Sequence, residues 1–339
     1  MRGNRTEEIV STPEISLLYV TLSSDMDSAA QLEEHRTALT GHCYRMLGSV
    51  TDAEDAVQDT MIRAWQGWKS FGGRSSVKTW LYRIATNVCF DILAVRKRRM
   101  RPSDEGSAGS IHDSLEQKPL QYWIEPIADI QAIPANEDPA QQAILQQSIR
   151  LAFVAALQHL PPRQRAVLLL TEVLGWSVNE VAESLESSTA SVNSALQRAR
   201  SSLAVHREPE PATLKQEETD LLNRYVDAFQ RYDIDSLTQL LHQDAVLSMP
   251  PYTLWFQGPE TIKGWLLGRG AVCQNSKLFP TAACGLPAFI QYHDDPEKGY
   301  SAWALIVLEI SEGYIRSWTS FMDTEKIFPR FGFPLVLSQ

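Results

Sequence analysis

The sequence predicts a multidomain chain: two all-α units followed by an α+β unit. Three observations carry this. Apolar residues recur at spacings of three and four over residues 30–101 and again over 142–207. Between these blocks, residues 102–141 shift to Ser, Gly, Pro, Asp and Glu. After residue 208 the period changes, and short alternating or apolar runs of strand type follow helical ones. A chain of 339 residues is long enough for two or three domains, and 44% apolar with 21% charged residues is ordinary globular composition.

Residues 1–29 show no periodicity and are expected to form a disordered extension, with Met26 as an alternative start. A helix is expected from Ala30 to Leu47, with Leu32, Leu39 and Cys43 inward. Gly48 to Asp52 then turns into an acidic helix, DAEDAVQDTMIRAW, ending at Trp65. Its inward side carries Ala53, Val57, Thr60, Met61 and Ala64. Asp52 is expected as N-cap, and Asp55 sits in the first turn, where the helix dipole favours negative charge. On a different face Asp55, Gln58, Asp59 and Ile62 line up, and taken alone such a face reads as solvated surface.

The next stretch changes that reading. Phe71-Gly-Gly-Arg-Ser-Ser-Val-Lys78 is a flexible basic loop, and the helix after it carries Trp80, Tyr82, Arg83, Asn87 and Phe90. It ends in the run Arg96-Lys-Arg-Arg-Met-Arg101. Rings that stack bases, interleaved with cations for phosphates, are what single-stranded nucleic acid requires. The formal net charge of −10 hides an asymmetry: residues 34–101 carry +6, whereas 102–141 and 208–339 carry −7 each. Positive charge is concentrated where a nucleic-acid footprint needs it.

The two motifs DAEDAVQDT-x-x-RAW and F-x-x-R-x-x-x-x-TWLYRIATN resemble domain 2 of extracytoplasmic-function (ECF) sigma factors of the sigma-70 family. The resemblance implies that Asp55, Gln58 and Asp59 face the clamp of the largest subunit of core RNA polymerase. It further implies that Phe71, Arg74, Ser75, Ser76, Lys78, Arg83 and Asn87 meet the melted −10 element, with Arg96, Arg98 and Arg99 on its backbone.

Residues 102–141 are expected to be a mobile acidic linker, either a passive tether or, as the resemblance implies, a segment threading polymerase near the RNA path. Helices return at Gln142. Pro161-Pro162 opens one after a break, and Val178–Leu185, a Glu186-Ser-Ser188 turn and Thr189–Leu203 read as a helix-turn-helix with Ser188 as N-cap. Its second helix leaves Ala190, Asn193, Ser194, Gln197, Arg198 and Ser201 outward, groups suited to base edges and phosphates. The ending SALQRAR resembles domain 4 of the same family, which implies contact with the duplex −35 element and with the flap of the second-largest polymerase subunit. Glu186 and Ser187 stand where that family often has Gly, which puts the turn geometry in question.

After a short linker over residues 207–213, helices are expected at 217–231, 234–241 and 259–267. Strands are expected at 245–249, 252–256, 277–284, 289–292, 302–310 and 314–322. This is an α+β cone. Its order, with "Tyr225-Val-Asp-Ala-Phe229", "Asp244-Ala-Val-Leu-Ser-Met-Pro-Pro251", Trp255 and "Gly258-Pro", resembles the SnoaL-like branch of the NTF2-like superfamily. ECF sigma factors with such a domain form the SigG/SigJ-like subgroup, which the chain after Met26 fits.

Function follows as an alternative sigma factor whose fused domain modulates activity, with no separate anti-sigma factor implied. Two rivals stand beside it: a ligand-responsive helix-turn-helix regulator, and a SnoaL-like enzyme tethered to DNA-binding modules. Acid–base candidates for the latter are Asp227, His242, Asp244, His293 and Asp294, which would have to converge on a pocket. The aromatic residues Trp255, Phe256, Trp265, Trp303 and Trp318 read as core, with an apolar ligand as the alternative. The tail Ile327-Phe-Pro-Arg-Phe-Gly-Phe-Pro-Leu335 is too apolar for water. It either closes its own cone or docks on the DNA-binding domains, with the acidic domain drawn to basic readers by charge. Cys43, Cys89, Cys273 and Cys284 lack zinc or disulfide spacing. No catalytic residue, cofactor or metal is expected, no apolar run matches a membrane span, and the location expected is cytoplasmic.

Overall fold

The computed structural model describes residues 29–73, 75–204, 215–297 and 299–337. The expectations for the N-terminal extension up to residue 28, for Arg74 and for the linker at 207–213 lie outside the described residues. The first unit is built on α1 (Arg36–Leu47), α2 (Val50–Gly67) and α3 (Val77–Val95). The helix expected from Ala30 comes in two pieces, with a turn at residues 34–35 between helical residues 29–33 and α1.

Ser49, not Asp52, caps α2: its hydroxyl accepts the Asp52 N–H at 3.0 Å. Asp52 is turned inward, where Arg96 and Arg99 share its carboxylate. Two guanidinium partners draw the acid away from the capping role its residue type suggested. Ser76 caps α3 by accepting the Thr79 N–H.

The segment expected to be a mobile linker is ordered. It includes α4 (Asp129–Ala132), and Trp123, Ile124, Ile127 and Ala132 are buried. Its backbone is tied on both sides: Glu125 N–H donates to Gly48, Lys118 N–H to Pro251, and Thr253 N–H to Glu116. Trp123 Nε1 donates to the Pro251 carbonyl at 3.1 Å. The few apolar side chains that looked isolated in sequence find their core in other domains, so composition alone misjudged the segment.

The second helical unit holds α5 (Pro139–Ser148), α6 (Leu151–Gln158), α7 (Pro162–Leu168), α8 (Val178–Ser184) and α9 (Thr189–Ala204), with one π-helical turn after α7. Ser177 and Glu180 close a capping box on α8. Ser188 accepts the Ser191 N–H at the start of α9, as expected.

The C-terminal unit has α10 (Lys215–Arg231), α11 (Ile234–Gln239), β1 (Leu241–Ser248), β2 (Trp255–Gln257), α12 (Pro259–Leu267), β3 (Lys277–Ala283), β4 (Leu286–Asp295), β5 (Gly299–Ser311), β6 (Tyr314–Phe321), α13 (Thr324–Arg330) and β7 (Val336–Leu337). The sheet order is β2-β1-β6-β5-β4-β3, with β7 on β5; β1 runs parallel to β6 and the other pairs are antiparallel. Period-two alternation assigns its faces. Phe289, Ile306, Leu308 and Trp318 point into the cone, where Tyr225 and Phe229 of α10 meet them. Ile290, Tyr292, Leu305, Val307 and Phe321 point the other way, into one continuous core with the two helical units.

The β3–β4 hairpin drives into the junction of the domains. Cys284 N–H donates to Ile127, and Gly285 N–H to the Asp129 carboxylate at 2.8 Å. Gly285 has φ +68°, and a Cβ there would lie 2.2 Å from the Gln146 carbonyl oxygen. Only glycine meets both demands.

Candidate polymerase and nucleic-acid interface

On α2, burial of Ala53, Ala56, Val57, Thr60 and Ala64 leaves Asp55, Gln58 and Asp59 exposed on one surface. That surface continues into Ile62 and Trp65, 48% and 45% exposed. Trp65 escaped the sequence reading, although its three-residue step from Ile62 was the available signal. An acidic and amide patch running into two exposed apolar side chains is suited to a protein partner.

Asn87 stands exposed on α3, and Ser75, Ser76 and Lys78 are exposed at its start. Phe71 stacks on Trp80 at 4.6 Å, with Trp68 beyond at 6.1 Å, giving an aromatic ledge beside the loop. Arg83 is half-buried and its guanidinium pairs with Glu186, while Lys78 lies 3.7 Å from Glu137. Glu186 holds the turn between α8 and α9 in a left-handed conformation, φ 48°. The position at which Gly was missed therefore does need positive φ, and its side chain reaches the first helical unit.

The basic run divides. Arg98 is exposed and meets His159 Nδ1 at 3.0 Å. Arg96, also exposed, reaches back to Asp52. Arg99, expected on the DNA backbone, is 4% exposed and bonded to Asp52 and to the Trp123 and Glu125 carbonyl and carboxylate groups. A guanidinium so enclosed holds the linker to α2 and cannot meet phosphate. On α9, Ala190, Asn193, Ser194, Gln197, Arg198 and Ser201 are all exposed, opposite buried Val192, Ala195, Leu196 and Ala199.

The two helical units are locked by buried cations that have no carboxylate partner among the described residues. Arg45 donates to Ser148 Oγ at 2.6 Å and to the Leu145 carbonyl. Arg165 donates to the carbonyls of Met46 and Leu160 and to Gln158. Burial pushes each guanidinium down to about 10. His42, buried beside Arg45 and bonded to Thr86, is pushed by burial down to about 3 and stays neutral.

The acid–base candidates of the cone stand apart. Asp227 pairs with Arg231 on the exposed side of α10, and His242 faces Asp244 on β1. His293 of β4 lies against Trp303 of β5, and two strands separate β4 from β1 in the sheet order. Among the described residues no group of three or more His, Cys, Asp or Glu is arranged to hold a metal ion, and no helix is long and apolar enough to cross a membrane.

An exposed acidic and amide helix face, an aromatic and basic unit and a helix-turn-helix together form the array expected of a promoter-specificity subunit. The family descriptions agree: "Sigma-70 region 2" matches residues 32–100 and "Sigma-70, region 4" matches 150–203. The chain is 42% identical over 316 residues to the ECF RNA polymerase sigma factor SigG of Mycobacterium tuberculosis, spanning 91% of this chain and 84% of that protein. It is 25% identical over 305 residues to the probable ECF sigma factor SigI of the same organism, spanning 87% and 94%. The crystal structure of M. tuberculosis SigJ shares the fold, with a TM-score of 0.58 at 20% identity over 90% of this chain and 98% of that one. The chain belongs to the ECF RNA polymerase sigma factors, and is an alternative sigma factor with a fused C-terminal α+β domain.

Proposed function

We propose that this sigma factor docks on the clamp of core polymerase through Asp55, Gln58 and Asp59, extended by Ile62 and Trp65. The observation that carries the reading is the continuous exposed face of α2, which ends in two uncovered apolar side chains. Asn87, the Phe71 ledge and the loop serines meet the −10 single strand, joined by Arg83 and Lys78 once Glu186 and Glu137 release them. The outward residues of α9 meet the −35 duplex, and the helix-turn-helix unit reaches the polymerase flap. Opening of the strands is driven by binding energy, with no covalent chemistry. The cone acts as a regulator rather than an enzyme: its acid–base candidates are spread over α10, β1 and β4, and its outer sheet face packs on both helical units.

The Arg83–Glu186 pair and the Tyr82–Trp176 contact at 5.8 Å hold the −35 unit against the −10 unit. This favours a chain that needs core polymerase to open, over a regulator that binds duplex alone. Run-off transcription with core enzyme on a pool of genomic fragments tests the reading. Selection of defined promoters is expected; no promoter chosen above core alone, or a stable footprint without core, would sink it.

A further inference from the structure

Beyond the last base-facing residue of α3, a cleft of about 600 Å³ opens between the first helical unit and the ordered linker. Leu47, Ile92 and Leu93 give it an apolar floor. Tyr122 forms a wall, fixed by its hydroxyl bond to Glu105 at 2.9 Å and by edge contact with Trp123 at 5.1 Å. Arg96, Lys97 and Arg98 line the rim and Arg99 lies beneath. The one acid lining the cleft is Asp52, already shared by Arg96 and Arg99; Glu125 stands behind Arg99 at 3.4 Å.

Arg99 is spent on Asp52, Glu125 and the Trp123 carbonyl, which leaves Arg96, Lys97 and Arg98 to make the rim positive. Each guanidinium carries five donors, more than Asp52 and His159 accept, and Lys97 has no partner among the described residues. A single negative charge would leave most of these donors idle, whereas a chain of phosphates would occupy them. The volume exceeds what a lone phosphate fills and falls within the roughly 300–1,000 Å³ of small-molecule sites. The flat ring and aliphatic floor suit a planar apolar body.

The direction of the cleft separates it from the promoter path. At 3.6 residues per turn, Ile92 lies roughly 140–180° and Leu93 roughly 80–120° around α3 from Arg83 and Asn87. The cleft thus faces away from the base-reading side of the helix. We propose that it binds a free nucleoside polyphosphate, the base lying between Tyr122 and the aliphatic floor and the phosphates on Arg96, Lys97 and Arg98. Such a ligand bridges the linker and the first helical unit, a place from which a metabolite can set how firmly the linker stays down.

Calorimetric titration of the full chain with ATP and with GTP at low salt tests this. One saturating site is expected for at least one of them. Its affinity should fall at least tenfold in Lys97→Glu and in Pro119→Glu, two exposed rim positions on different segments, and stay unchanged in Asn87→Ala. No saturable binding up to millimolar nucleotide overturns the proposal, as does equal binding by both rim variants. Competition by a single-stranded −10 oligonucleotide whose own affinity falls in both Asn87→Ala and Lys97→Glu would place the cleft on the DNA path and also overturn it. Run-off transcription without added effector is scored separately, so failure here leaves the sigma-factor reading standing.

Discussion

Arg330 of α13 donates to Glu54 of α2 at 2.9 Å and to Thr51 at 3.2 Å, a bond between the tail and the acidic helix across 276 residues of sequence. The ion pair itself is weak, because Glu54 is 42% exposed and such pairs contribute about 0–1 kcal/mol. The burial beside it is not weak. Phe328 is fully buried in the core shared with the helical units, and Tyr292 donates to Pro334 at 2.7 Å. The tail therefore covers the outer face of the sheet and reaches α2, rather than closing the mouth of the cone. Docking is chiefly apolar, not the charge attraction that net charges suggested.

Removing residues 327–339 should change run-off yield several-fold while leaving core affinity within a few-fold. The change should be nearly the same at low and high salt, since apolar contacts are not screened. Core affinity and yield compared at two salt concentrations check this; an effect that vanishes at high salt would restore the electrostatic account.

Asn87→Ala should weaken selection at one −10 base, since a good amide-to-base contact contributes about 1–3 kcal/mol. Lys78→Ala should instead weaken all promoters alike and reduce the salt slope by about one. Arg99→Ala should leave the slope alone and destabilise the fold by about 3–5 kcal/mol, because Asp52 loses its buried partner. Binding of a promoter set across a salt series, with urea unfolding, separates the three.

The two unpaired buried arginines should respond differently to Met. In Arg45→Met, Ser148 still donates to Leu145 at 2.8 Å and little is left unsatisfied. The change should cost less than about 1 kcal/mol, or stabilise. Arg165→Met strands the Met46 and Leu160 carbonyls and Gln158, at about 1–3 kcal/mol for each buried group left unmet. Urea midpoints should rank Arg165→Met well below Arg45→Met; the reverse order would mean that desolvation of the cations, not their bonds, dominates.

Asp129 gives a pH signature for docking of the hairpin. Burial raises its carboxyl from the ordinary 3.8 to about 6, against the opposing Gly285 hydrogen bond. A raised acid contributes stability that is complete below pH 3.8 and is lost as pH rises through about 6. Asp129→Asn keeps an acceptor for Gly285 without the charge. It should stabilise the chain on the order of 2–3 kcal/mol at pH 7.5 and by little near pH 4. His42 acts in the opposite sense: burial lowers it from 6.5 to about 3, so its share is present above pH 6.5 and lost on acidification. Unfolding of wild type and Asp129→Asn at both pH values isolates the Asp129 effect.

Local chemistry was legible in the sequence wherever a signal lay within one element. The period of three and four placed the α2 and α9 faces, the turn residues bracketed the helix-turn-helix, and alternating or apolar runs found β1 to β6 within a few positions, whereas β7 (Val336–Leu337) went unforeseen. Those signals depend on neighbours three or four residues away, which a sequence displays directly. What depends on distant partners was not legible. Asp52 looked like a cap until Arg96 and Arg99 claimed it, Arg99 looked like a phosphate ligand, and the linker looked mobile because its core lies in other domains. Which face of the sheet meets the helical units, and that Glu186 reaches Arg83, were decided only by packing. Residue type limits what a side chain can bond, but burial selects which of those bonds is made, and burial is a property of the assembled chain.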